Sequence, residues 1–161
     1  MTTRPAAALA LAAALSVSLG GCADPGLPTP GIALVTAADG TTSVVSLTCE
    51  PASTFELSLG TDLWSEPDVE VELDAPGSRQ EISLPAIADS GTVVAGDQQV
   101  VDEMSGPFAV RLYGDGGAPV GAVVFDGTPE AGHGSVVLNN GDSEPSEVEA
   151  ADVARLNQPA C

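Results

Sequence analysis

Residues 68–75, DVEVELDA, alternate a carboxylate with an aliphatic side chain at nearly every step. In an extended chain a period of two puts Val69, Val71 and Leu73 on one face and Asp68, Glu70, Glu72 and Asp74 on the other. A helix would scatter both sets around its axis, so this segment sorts only as a strand with one buried and one wet face. Residues 54–59, TFELSL, repeat the pattern with Phe55, Leu57 and Leu59 together. Short aliphatic runs follow the same plan at 32–37, 43–49, 79–86, 91–95, 107–113, 119–125 and 134–138. Glycine, proline and aspartate punctuate them. Residues 98–104, QQVVDEM, fit either a strand or a short helix. Asp39-Gly40 between the first two runs and GDGGA between 107–113 and 119–125 are hairpin signals. The prediction is an all-β fold, an antiparallel β-sandwich or open barrel of about 7–9 short strands. A helical pattern arises only in SEVEAADVARL, where Ser146 and Glu149 form a capping box. A short C-terminal helix is expected there, with Val148, Ala151 and Leu156 toward the body.

The first residues follow another logic. Arg4 is the only charge before Asp24, and residues 5–19 are Ala, Leu, Val and Ser after one Pro. That is a short cationic region and an apolar run, the plan of a secretory signal peptide. The run is shorter than the roughly 20 apolar residues a spanning helix needs. It ends in LGGC, residues 19–22, which resembles the lipobox of bacterial lipoproteins. The resemblance implies cleavage before Cys22 and a diacylglycerol on its thiol. Residues 1–21 are then a signal peptide, 22–31 a lipidated cysteine with a Pro/Gly-rich tether, and 32–161 an acidic β-sandwich domain. Two acyl chains hold a protein firmly where one does not. The implied location is the extracytoplasmic face of a cell membrane. Abundant Ala, Gly, Val and Asp with no Lys resemble a high-GC bacterial proteome, an actinobacterial one.

Charge narrows the partners. Four Arg and no Lys stand against 23 Asp and Glu, for a formal net charge of −19. Such a chain does not bind nucleic acid by its phosphates, which need protein cations. It is also repelled by an anionic membrane face, so the lipid would hold what the charge pushes away. The partners left are cationic: a basic protein or peptide, or a divalent ion. The four carboxylates of the ladder Asp68, Glu70, Glu72, Asp74 stand about 7 Å apart along one strand face. They are candidates for cation or basic-partner binding, and equally a solvated outer face. Outside the cytosol Cys49 and Cys161 are expected to form a disulfide once lipid occupies Cys22, the alternative being two free thiols.

Catalytic chemistry has little to work with. His133, the only histidine, sits between glycines in AGHGS, a poor platform for a general base, and no G-x-S-x-G elbow is present. One histidine and a lone cysteine pair do not fill a tetrahedral metal site. A carbohydrate-cleaving groove lacks aromatic platforms, with one Trp, one Tyr and three Phe in the chain. No catalytic residue, metal or cofactor is expected. Trp64, in DLWSEPD, is expected to cap the core from a turn; an exposed Trp64 would instead be a binding anchor. Residues 34–51, LVTAADGTTSVVSLTCEP, look like the opening hairpin of subtilisin-inhibitor-like proteins, where a strand also ends in Leu-Thr-Cys-x-Pro. The Gly-Gly-x-His-Pro segment, second disulfide and reactive loop of that family are missing. The function expected is a lipid-anchored, non-catalytic binding or envelope-interaction protein. A protease inhibitor is the alternative, and a cation-binding surface protein the third reading.

Overall fold

The structure, a computed structural model, describes residues 30–48, 50–77, 80–138 and 145–156. Ten strands occur among them: β1 Pro30–Thr36, β2 Thr42–Ser46, β3 Ala52–Leu59, β4 Val69–Gly77, β5 Glu81–Ser83, β6 Gly91–Ala95, β7 Phe108–Tyr113, β8 Pro119–Phe125, β9 His133–Leu138 and β10 Ser146–Glu149. They form two five-stranded antiparallel sheets. The first has the order β10-β9-β1-β2-β5 and the second β6-β4-β3-β7-β8. The expected β-sandwich is present.

The alternation in the sequence is what closes it. Phe55 and Leu57 of β3, Val69, Val71 and Leu73 of β4, and Val110 and Leu112 of β7 point inward. They meet Ile32, Leu34, Val44 and Ile82 of the first sheet in one continuous core. Phe108 and Phe125 tilt against each other there, ring centroids 5.6 Å apart. Complete burial of a Leu or Phe side chain stabilises by about 1.5–3 kcal/mol, so this aliphatic interior carries the fold.

The first sheet is buried on both faces. Ala33, Val45, Leu47 and Val136 face away from the main core and are covered by Val153. That residue belongs to α2, Ala150–Leu156. Burial on both faces accounts for residues 32–34 being apolar at every position, a departure from the alternating plan. Among the described residues no helix is long and apolar enough to cross a membrane.

Several local expectations change. The capping box does not open a helix. Residues 146–149 pair with β9, Glu149 opposite His133, and the helix starts at Ala150. Val148 is half-buried, Ala151 exposed and Val153 the buried contact. Cross-strand pairing outweighed a local cap worth about 1 kcal/mol. Residues 79–86 are not one strand: β5 has three residues and yields to a 3-10 turn, Leu84–Ser90, with Pro85 in its first turn. Residues 98–104 resolve as the helical option, α1 Gln98–Asp102, whose N-terminus is capped by Asp97 accepting from the Val100 N–H. The last two residues of the expected tether, Pro30 and Gly31, belong to β1. Cys22, Cys49 and Cys161 lie outside the described residues, and so does the lipobox.

The two ends of the sandwich differ. The chain enters at the start of β1, beside the end of β2, where the Leu47 N–H donates to Gly31 O at 2.9 Å. The next strand, β3, starts at this same end with Ala52 and runs the length of the second sheet to Leu59. At about 3.4 Å per residue this puts residues 60–68 roughly 25 Å from the entry point, at the opposite end.

Candidate functional site: a clamped tryptophan loop

At that far end the connection between β3 and β4 bends over the outer face of the second sheet. The residue beneath it is Arg111 of β7. Its strand neighbours Val110 and Leu112 point into the core, so period two sends Arg111 the other way. An arginine on an outer face would normally reach water, yet Arg111 is only 5% exposed. The loop covers it. One terminal nitrogen, Nη1, donates to Leu63 O at 2.7 Å and to Ser65 O at 2.8 Å. Nη2 donates to Ser58 Oγ at 3.0 Å. Nε lies 2.8 Å from Glu56 Oε2 on the neighbouring strand, an ion pair off the N–H axis. A guanidinium is suited to this, because its rigid planar fork aims several donors at once.

The two carbonyls gripped by Arg111 flank Trp64. Fixing both from below leaves the indole facing outward, and Trp64 is 81% exposed. The expectation of a core-capping tryptophan is overturned. Arg111 holds the loop over the outer face of the second sheet, on the side away from the core that Phe55, Phe108 and Phe125 fill. Local bonds stiffen the tip further. Asp62 Oδ1 accepts from the Trp64 N–H at 2.9 Å, and Asp62 O accepts from the Ser65 N–H at 3.3 Å and the Ser65 hydroxyl at 3.0 Å. At the base, Asp68 Oδ2 accepts from the Leu59 N–H at 2.7 Å, and the Gly60 N–H donates to Pro107 O at 2.8 Å.

The acidic ladder is placed as expected in part. Glu70, Glu72 and Asp74 lie on β4, alternating with buried Val69, Val71 and Leu73. Glu72 and Asp74 are exposed, and Glu70 is half-buried opposite Glu56. Asp68 precedes the strand and is engaged with Leu59, so it belongs to the base of the tryptophan loop. Among the described residues no three His, Cys, Asp or Glu are grouped to hold a metal ion. His133 is the exposed first residue of β9, not part of a free loop.

Two shallow clefts also open at the far end. One, about 330 Å³, is lined by residues that include Asp126, Thr128, Pro129, Ser135 and Glu147. The other, about 190 Å³, lies between Thr42, Leu84, Pro85, Val101 and Met104. The exposed carboxylates at this end include Asp39, Asp62, Glu66, Asp68, Asp97 and Asp126.

Sequence reasoning missed Arg111. Its partners lie 48 and 46 positions away, and nothing local marks an arginine in an alternating strand as buried. The one available signal was its placement opposite Glu56 once strands 54–59 and 107–113 are paired.

No protein family, curated protein or solved structure matches the chain.

Proposed function

We propose that this chain is a lipid-anchored, extracytoplasmic, non-catalytic binding module of a bacterial envelope, which presents the Trp64 loop to a partner. The observation that carries the reading is the clamp: a buried arginine holds a nearly fully exposed tryptophan in a fixed place. Leaving a large indole in water forgoes its burial energy, and tryptophans held this way are typical anchors of protein interfaces. A pre-ordered loop also loses less entropy on binding than a free one.

The layout of the sandwich supports the anchoring half. The tether would enter at one end, and the loop and many of the carboxylates crowd the other. A domain so arranged turns its acidic end away from an anionic bilayer, which its charge favours. The protease-inhibitor alternative gains nothing from the loop. Segments that lie in a protease cleft run extended, and residues 62–65 close a turn.

Expression of the full chain and of Cys22→Ala tests the anchoring. The parent is expected in the membrane fraction with an added diacylglyceryl mass, and the variant in the medium without it. Unprocessed full-length protein in the cytosol would overturn the reading. Incubating the mature protein with subtilisin-type and trypsin-type proteases separates the inhibitor, which would remove their activity stoichiometrically.

A further inference from the structure

We infer that the Trp64 loop docks a basic segment of a partner protein, seating a lysine or arginine side chain on the indole between the carboxylates of Asp62 and Glu66. The inference rests on the binding-module reading and adds the chemistry of what is bound. A tryptophan face attracts a cation more strongly than any other aromatic side chain does, and the attraction grows as water is excluded. Here the indole is exposed, and acidic residues stand two positions before it and two after it, both exposed. Asp68 at the loop base and Glu70 and Glu72 on β4 extend the negative surface along the chain.

Complementarity argues against an anionic occupant and a metal ion. Arg111, the only arginine whose side chain is described, is committed beneath the loop, so no arginine described there greets an anion, a nucleic acid or an anionic lipid headgroup. No metal-holding group of carboxylates exists among the described residues. A stretch of basic residues on a polypeptide satisfies both features at once: one cation covers the indole, and its neighbours meet the flanking carboxylates. Such contacts speed encounter and weaken with salt.

The chain carries its own reporter, since Trp64 is its single tryptophan. Mature protein in detergent is titrated with hexa-arginine, and separately with a Gly-Ser peptide of equal length, while Trp64 emission is followed. A saturable change is expected with hexa-arginine alone. Its affinity should fall at least about tenfold on raising monovalent salt from low to several times physiological strength, where screening is nearly complete. The Asp62→Asn, Glu66→Gln double variant should bind about tenfold more weakly or worse. Calorimetry with Trp64→Ala, a surface change that leaves folding intact, should show no saturable binding, and Trp64→Phe should retain part of it.

Equal responses to both peptides, no response to either, or unchanged affinity in the carboxylate variant would overturn the assignment. If the titration fails while the protein is still exported and acylated, only the partner chemistry falls. If the chain stays unprocessed in the cytosol, the anchoring reading falls, and the titration still decides the loop.

Discussion

At the scale of single residues, Arg111 and Trp64 divide the labour of one loop. Hydrogen bonds to a charged group contribute about 1.5–3 kcal/mol each, and removing one partner of a buried pair costs about 3–5 kcal/mol because the other is left uncompensated. Arg111→Leu is therefore expected to lose roughly 3–5 kcal/mol in urea unfolding. Adding Glu56→Gln to it should restore part of that loss. Trp64→Ala, by contrast, should stay within about 0.5 kcal/mol of the parent, as surface substitutions do. A larger loss would show that the indole packs against the body after all. Asp39 offers a separate test. Its carboxylate accepts the Thr41 N–H at 2.9 Å within the β1–β2 hairpin, which holds its pKa below the ordinary aspartate value. A depressed acid stabilises the fold above its unfolded pKa, and that contribution fades as pH falls through the lower folded value. NMR titration should place the Asp39 midpoint below that of a free aspartate. Asp39→Asn should narrow the stability difference between neutral and strongly acidic pH by a small amount, since the group is fully exposed.

At the scale of elements, packing decides where local signals compete. Strands β3, β4, β7 and β8 were legible because alternation is a long-range fact written locally: each buried residue declares its face. The Asp39-Gly40 hairpin was equally plain, with Gly40 at φ +88°. Residues 146–149 were not, because SEVE is both a helix opening and an edge strand, and only the neighbouring β9 settles it. Arg111 and Trp64 were illegible for a related reason. Their exposure depends on a loop that folds back across the sheet, and the sequence states nothing about that bend. The same logic predicts where small residues matter. Gly96 has φ +73°, and a Cβ there would collide with the carbonyl oxygen of Asp68 at the loop base. Gly96→Ala should destabilise by more than about 1 kcal/mol in thermal or urea unfolding, beyond what its positive φ alone costs. Val153→Ala should lose about 1–3 kcal/mol, because it uncovers Ala33, Val45 and Leu47.

At the scale of the whole molecule, charge sets the terms. With a net charge of −19 the compact state repels itself, so the melting temperature at neutral pH should rise with added monovalent salt. Helix α2 starts at the far end, where the Ala150 N–H donates to Gly132 O. It then passes over Gly134, heading back toward the chain entry. The expected disulfide would join Cys49 to Cys161, both outside the described residues. Such a closure of residues 49–161 would be worth roughly 4–5 kcal/mol on the chain-entropy model. With that bond in place, reduction should lower the melting temperature and the unreduced protein should not react with a thiol probe; reaction at either cysteine would overturn the expectation. The grip of Arg111 has one more consequence. It takes hold of main-chain oxygens, which every amino acid supplies, and asks nothing of the side chains at 63 and 65. The tip can thus be rewritten by mutation without unfastening it, so a single scaffold is free to acquire new specificities, in nature or by grafting.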